Sequence, residues 1–161
     1  MRALQFWKAV TMDGSHFLER VLAVLDAVDF CVIGGTAVNA YSPPVVTLDL
    51  DVAIAAGDLP RLEKSLAEQF EVPGSDLRLQ LQTDPRYEPF VARARVREVM
   101  GLRLPVAAPE DVLQGKIWAV QDAERRPSKR QKDLADIARL LEAQPALRER
   151  VPAEVLALLI K

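Results

Sequence analysis

The pattern of apolar and polar residues in the first part of the chain predicts helix, strand and helix in succession. Apolar residues recur at helical spacing over 15–28, after a possible cap at Ser15, and a run of strand formers follows at 30–33. Gly34 and Gly35 end this run, and the small residues after them begin a second helix. The pattern therefore predicts a strand that leads through a glycine turn directly into a helix.

The next segments predict more of a sheet. After a proline-containing loop, 45–54 is a strongly β-prone run, and 59–70 has the start signals of a helix. Apolar and polar residues alternate strictly over 77–82, which is typical of a half-buried strand. The leucines of that strand should face the core.

The segment before the C-terminal helices allows two interpretations. The stretch 92–107 fits a hairpin that turns near Met100-Gly101, whereas 87–94 fits the start of a helix equally well. Periodicity does not decide between them, so the number of strands stays open by one. Beyond Pro109 the pattern is helical, in three segments near 109–123, 128–143 and 152–160.

Composition limits the available chemistry. The 161 residues suffice for one sizeable core, and 50% apolar with 27% charged residues is typical of a soluble globular protein. Cys31 and His16 are the only cysteine and histidine, which excludes an internal disulfide and a zinc cluster within one chain. No apolar stretch could cross a bilayer and the first residues do not resemble a signal peptide, so we expect a cytoplasmic protein without a membrane partner.

Five basic residues lie close together in a chain whose formal net charge is only −2. They could form a solvated helix face or a site that binds RNA. The small net charge favours the solvated face. The residues are Arg125, Arg126, Lys129, Arg130 and Lys132.

Two acidic residues interrupt the β-prone run. Asp49 and Asp51 lie two apart, so their side chains share one face of a strand while the apolar neighbours share the other. Burying two neighbouring anions without a partner is unfavourable, and a divalent cation removes the conflict. Mg²⁺ prefers oxygen ligands and completes its shell with water and substrate phosphates, so the pair indicates a Mg²⁺–nucleotide site. The alternative is an edge strand with both carboxylates in water.

The glycine turn upstream indicates the same chemistry. Gly34 and Gly35 would let the backbone approach a phosphate closely, and the helix that begins at Thr36 would attract anions. A tight turn without a ligand is the alternative. Together, the turn and the acidic pair indicate a phosphate site beside a metal site.

The order of these motifs resembles the signature of the nucleotidyltransferase superfamily. In that signature an apolar residue and two small residues precede an acid-apolar-acid motif, as Val32-Ile33-Gly34-Gly35-Thr36 precedes Asp49-Leu50-Asp51-Val52 here. Downstream, Pro109-Glu110-Asp111-Val112-Leu113 with Lys116, followed by Lys132-Asp133-Leu134-Ala135-Asp136-Ile137, is similar to the helical half of the AbiEii-like toxins and related minimal nucleotidyltransferases. The resemblance covers about 20–145.

The resemblance implies a fold, a reaction and a set of residues. The fold is α/β (α+β), a mixed sheet with flanking helices over 1–107 and a helical part over 108–161 that closes the pocket. The reaction is metal-dependent transfer of a nucleoside monophosphate from an NTP to a hydroxyl of RNA, protein or a small molecule, with Mg²⁺ or Mn²⁺. The implied metal ligands are Asp49 and Asp51, the implied nucleotide-binding residues are Gly34, Gly35, Thr36 and Lys116, and Asp133 and Asp136 join Lys116 and the metal ligands as catalytic residues.

Helical spacing draws attention to the same C-terminal residues. Asp133 and Asp136 share a face with Ile137 and Leu140, and Lys116 lies on an apolar face of its own helix. Without the resemblance, Lys116 would be interpreted as a snorkelling side chain and Asp133 as a partner of nearby lysines, Lys129 or Lys132. With it, all three belong to the pocket. Trp118 is interpreted as a core residue.

Two departures from the family pattern affect the expected activity. Val45 stands where family members often have an arginine, and the strand expected to supply a third carboxylate has Arg78, Gln80 and Gln82. A missing general base weakens transfer without affecting metal binding. The alternative function is a catalytically degenerate module that acts through a partner protein, as in a toxin–antitoxin pair.

Overall fold

The computed structural model describes residues 14–47, 49–69, 78–99 and 101–159. The described strands are β1 (Phe30–Ile33), β2 (Asp49–Ile54), β3 (Arg78–Gln82), β4 (Arg95–Val99) and β5 (Leu102–Val106). The described α-helices are α1 (Gly14–Leu25), α2 (Gly34–Val38), α3 (Leu59–Gln69), α4 (Glu88–Arg93), α5 (Pro109–Gln121), α6 (Pro127–Ala143) and α7 (Ala153–Leu156). Short 3-10 helices lie at Ala56–Asp58, Pro85–Tyr87 and Pro145–Arg150.

The strands form one mixed sheet in the order β3-β2-β1-β5-β4. Strand β1 pairs antiparallel with β2 and parallel with β5, while β2 pairs parallel with β3 and β4 pairs antiparallel with β5. Helices flank this sheet, and α5 and α6 pack against each other and against the short helix α2. The predicted fold class is therefore confirmed, and the C-terminal helices lie against the helix that begins with the glycine pair.

The start of β2 differs from the prediction. The β-prone run was expected to be a strand from residue 45, but the strand begins at Asp49. The side-chain amide of Asn39 donates to the Val45 carbonyl at 2.7 Å and accepts from the Val45 amide at 3.0 Å. Because both backbone groups of Val45 are bound by a side chain, this segment is a loop, and Val45 and Val46 are about half exposed.

Helix and hairpin both occur in the segment that allowed two interpretations. Helix α4 comes first, and β4 and β5 then form the hairpin, with Gly101 at a φ of +76°. Met100 and Leu77 lie outside the described residues. The prediction for 15–28 was too long at its end, since α1 stops at Leu25, and Ser15 lies inside this helix and not before it. The 3-10 helix Pro145–Arg150 was not predicted.

One hydrophobic cluster contains buried residues from the sheet and from the C-terminal helices. Strand β1 is buried along its whole length, and Leu50 and Val52 of β2 are fully buried. Ile117 and Leu140 bring α5 and α6 into the same cluster. Within the described ranges, no helix is long and apolar enough to span a membrane.

Candidate functional site

The first turn of α2 lies directly against the acidic strand. Gly34 has a φ of +67°, in the left-handed region that side chains rarely adopt. A Cβ atom at this position would overlap the carboxylate of Asp51 and would lie 2.9 Å from its Cβ and Cγ atoms. A Cβ at Gly35 would lie 3.5 Å from Thr47 Oγ1, which is an ordinary contact. Of the two positions, only 34 therefore needs glycine, because its backbone lies too close to the Asp51 carboxylate for a side chain.

Thr36 links α2 to β2. Its side chain is fully buried, and its hydroxyl donates to the Asp49 carbonyl at 3.1 Å. The buried Thr47 hydroxyl lies 3.4 Å from the same carbonyl. These bonds hold the glycine turn in place relative to the two acids.

Asp49 and Asp51 share a face of β2 but differ in environment. Burial raises the pKa of the Asp51 carboxyl; the Lys116 charge opposes this increase and the Asp49 charge adds to it. The Asp49 side chain is 17% exposed, and its Oδ2 atom lies 3.5 Å from Lys129 Nζ. Burial therefore disfavours the ionised Asp51 carboxylate more than the neighbouring lysines stabilise it.

Lys116 of α5 is held between two aspartates of α6. Its Nζ atom lies 2.9 Å from Asp133 Oδ1 and 2.7 Å from Asp136 Oδ2, and the three side chains are only 9%, 3% and 4% exposed. Burial alone would lower the pKa of Lys116, but the Asp136 and Asp133 charges and their hydrogen bonds raise it above its usual value. The ammonium group therefore stays charged inside the protein.

The local alternatives for these residues are wrong. Lys116 does not snorkel, because its ammonium is buried. The second partner of Asp133 is Arg125, whose Nη2 and Nε atoms lie 2.6 and 2.8 Å from Oδ2; it is neither Lys129 nor Lys132. The buried aspartate thus pairs with one residue of α5 and one residue of the loop before α6.

Arg139 connects this network to the loop before β2, and the sequence offered no signal for it. Its Nη1 atom donates to Asp136 Oδ1 at 2.9 Å, while Nη2 donates to Asn39 Oδ1 at 2.8 Å and to the Pro43 carbonyl at 2.7 Å. Asp136 Oδ2 contacts Lys116 Nζ at 2.7 Å, and among the described residues no other group donates to this oxygen. Arg139 therefore links Asp136, one of the two partners of Lys116, to the loop that leads into the acidic strand.

The prediction of a solvated basic segment holds for only part of it. Arg126 and Lys132 are exposed. Arg125 and Lys129 face Asp133 and Asp49, and Arg130 donates to backbone carbonyls of the α5 end. Three of the five cations therefore turn back to the protein because buried or half-buried acceptors lie within reach.

A cavity of about 550 Å³ lies beside these residues. Gly34, Asp51, Lys116, Asp133 and Arg125 all line it. Asp49, Gly35, Thr36 and Asp136 were predicted for the same site but do not line the cavity; Asp136 contacts Lys116, which does, and Thr36 donates to the Asp49 carbonyl. An aromatic cluster of Tyr87, Phe90 and Trp118 forms another part of the wall, so Trp118 is not only a core residue.

The position expected for a third carboxylate holds an amide. Gln80 lies directly opposite Asp51 in the β2–β3 register and is exposed, whereas Gln82 accepts a hydrogen bond from the Asp84 amide at 3.0 Å. The Asp84 carboxylate is bound by Arg86, and Asp76 lies outside the described residues. Within the described part of the chain, no group of three or more His, Cys, Asp or Glu side chains could hold a metal ion.

Solved structures with the same fold are nucleotidyltransferases. The solution structure of the antibiotic-resistance factor ANT(2'')-Ia matches with a TM-score of 0.55 at 14% identity, over 87% of this chain and 94% of that one. Its crystal structure in complex with adenylyl-2''-tobramycin matches with a TM-score of 0.50 at 16% identity, over 84% and 97%. An antigenic nucleotidyltransferase-like protein from Paracoccidioides brasiliensis matches with a TM-score of 0.50 at 19% identity, over 99% and 94%. The fold is thus of the nucleotidyltransferase type.

The chain belongs to the family of the nucleotidyl transferase AbiEii toxin of type IV toxin–antitoxin systems, whose model matches residues 74–161. This match confirms the resemblance inferred from the motifs and supports nucleotidyl transfer as the general activity. The matched range includes Lys116, Asp133 and Asp136, whereas Gly34 and Asp51 lie before it. No curated protein matches the chain.

Proposed function

We propose that the protein transfers a nucleoside monophosphate from an NTP to a hydroxyl group, with pyrophosphate as the leaving group. The observation that carries this proposal is the direct contact of the left-handed Gly34 with Asp51 in a cavity that Lys116 also lines. Backbone amides, a metal-ligating carboxylate and a buried cation are the groups that phosphoryl transfer uses to position phosphates and neutralise their charge.

Asp49 and Asp51 fit a divalent metal ion. Both offer oxygen ligands from one face of β2, and burial holds the pKa of Asp51 above its usual range, which a nearby cation would relieve. Mg²⁺ commonly takes one or two carboxylates and leaves its remaining positions to water and phosphates. When bound, Mg²⁺ or Mn²⁺ supplies charge neutralisation on the transferred phosphate.

The other residues act around this pair. Gly34 and Gly35 hold the triphosphate through the backbone, and Thr36 fixes the turn through its bond to the Asp49 carbonyl. Lys116 adds a positive charge to the cavity. Asp133 and Asp136 keep that ammonium charged and fixed, a positioning role that their buried ion pairs support. Since the Gln80 amide cannot accept the proton of the attacking hydroxyl, we infer that water takes it and that transfer is slow.

The experiment that tests this function uses each labelled NTP in turn, with Mg²⁺ or Mn²⁺ and with total cellular RNA and protein as acceptors. The parent protein should form a labelled product, and Asp49→Asn/Asp51→Asn should not. Asp58→Asn is the matched control, because Asp58 pairs with Arg61 and does not line the cavity. A product that the double variant forms as fast as the parent, or that forms without metal, would contradict the proposal.

One observation favours a second function. The amide of Gln80 lies opposite Asp51, and Asp84, the described carboxylate that follows β3, is bound by Arg86. A site without a base suits a module that binds a nucleotide and acts through an antitoxin-like protein partner, in keeping with the family's toxin–antitoxin systems. Metal-dependent NTP binding without a product from any acceptor would support this function over transfer.

A further inference from the structure

Three aromatic side chains meet at the cavity. The rings of Phe90 and Trp118 are stacked, with centroids 5.7 Å apart and planes inclined by 6°. Tyr87 meets both rings edge-on, with its centroid 4.9 Å from Phe90 and 5.3 Å from Trp118. Aromatic pairs in these arrangements stabilise one another, so the cluster is a fixed wall of the cavity.

Trp118 is the member of this cluster with surface left for a ligand. Tyr87 and Phe90 are buried, whereas Trp118 is half-buried. The guanidinium carbon of Arg86 lies 4.6 Å from the indole centroid, and the Arg86 side chain is itself 57% exposed. A planar, solvent-exposed cation thus rests on the indole.

Neutral amides line the same cavity. The side chains of Gln80, Gln82 and Gln121 belong to its wall together with Trp118. An amide offers both donors and an acceptor, which are the groups that read the hydrogen-bonding edge of a nucleobase. The cavity volume of about 550 Å³ lies within the range of small-molecule and cofactor sites.

We propose that Trp118 is the stacking platform for the nucleobase of the bound nucleotide, and that the base displaces Arg86 from the indole. This inference rests on the proposed function, because it places the phosphates of the same nucleotide at Gly34 and Asp51. Base stacking on an aromatic ring is worth more than an exposed cation–π contact, so the exchange favours the base. Stacking grows with ring area, and purine nucleotides should therefore bind more tightly than pyrimidine nucleotides.

The chain allows a direct optical test, since Trp7 and Trp118 are its only tryptophans. In a Trp7→Phe background the emission reports Trp118 alone. Purine nucleosides without phosphate, added without metal and excited beyond the absorption of the bases, should quench this emission saturably, and pyrimidine nucleosides should do so more weakly. In the Arg86→Ala variant, the Trp118 emission should be quenched at an equal or lower nucleoside concentration, because the indole is then uncovered.

The second measurement is calorimetric and separates this inference from the proposed function. Trp118→Leu should bind a purine NTP with Mg²⁺ roughly fivefold to a hundredfold more weakly than the parent, and Trp118→Phe should lie between them. Inorganic tripolyphosphate with Mg²⁺, which has no base, should bind all three proteins equally.

Each outcome decides one of the two proposals. Equal NTP affinity in Trp118→Leu and the parent, together with no quenching by nucleosides, would overturn the stacking role and leave the metal–phosphate site standing. Quenching by nucleosides without any binding of Mg²⁺–tripolyphosphate would support the stacking role and remove the metal–phosphate site. The inference would also be overturned if a sugar phosphate without a base quenched the Trp118 emission as strongly as a nucleoside does.

Discussion

Replacing Lys116 by methionine removes the cation that Asp133 and Asp136 share, while it keeps an unbranched side chain of similar length. Both aspartates then stay buried, each with one arginine: Arg125 for Asp133 and Arg139 for Asp136. Removal of one partner from a buried ion pair typically costs about 3–5 kcal/mol. The remaining arginines place the expected loss at the lower end, about 3 kcal/mol.

For a chain of this size, about 1 kcal/mol corresponds to about 2–4 °C in Tm, so Lys116→Met should lower Tm by about 6–12 °C. Urea unfolding followed by circular dichroism measures the free energy directly. Lys129→Met is the matched control: Lys129 is 34% exposed and lies 3.5 Å from Asp49, so its loss should cost less than about 1 kcal/mol. Equal losses in the two variants would refute the reasoning.

The pH dependence gives an independent check on the same ion pairs. The pKa of Lys116 is raised in the native state, so its contribution to stability is fully present below the unfolded pKa of 10.5 and is lost as pH rises through the native value. The difference in unfolding free energy between parent and Lys116→Met should therefore be constant near neutral pH and should shrink only in strongly alkaline solution. A difference that disappears near neutral pH would mean that the ammonium is not held as described.

Other substitutions test other parts of the site. Asp51→Asn should raise Tm in the absence of divalent metal. The pKa of Asp51 is raised in the native state, so ionisation of this carboxyl destabilises the folded protein as pH rises. In a thermal-shift assay, Mg²⁺ should stabilise the parent and not this variant. Gly34→Ala should cost about 2 kcal/mol or more in urea unfolding, since its φ is +67° and its methyl would overlap Asp51, whereas Gly35→Ala should change stability by less than about 1 kcal/mol. Gln80→Asp should raise the rate of labelled-product formation by about a hundredfold or more, and Gln82→Asp should not; unchanged rates in both would make a third carboxylate immaterial.

The local parts of the fold could be predicted from the sequence. Strand β1 was predicted to the residue, because a continuous apolar run that ends at Gly34 leaves only one assignment. The placement of Asp49 and Asp51 on one face of β2 follows from strand geometry alone. Helical spacing likewise put Asp133 and Asp136 on one buried face of α6. Each of these features depends on neighbours within a few residues.

Contacts between distant segments could not be predicted. The strand predicted for 45–54 starts later in the structure, because the side-chain amide of Asn39 binds the Val45 backbone. No pattern within 45–54 could show this. The ring contacts of Tyr87 with Trp118 join two elements that the sequence does not connect. Arg125 competes successfully for Asp133 because the chain turns between α5 and α6, which periodicity cannot show.

The hydrogen bond between Arg139 and Asn39 joins two residues that lie 100 positions apart in the sequence. On the ribosome, β2 with Asp51 emerges before α6 has been made, and at about 5–20 residues per second the interval is roughly several seconds. At the start of that interval the acidic strand has neither the Lys116 charge nor the arginine that binds its preceding loop. The site is therefore complete only after α6 has been made and has docked.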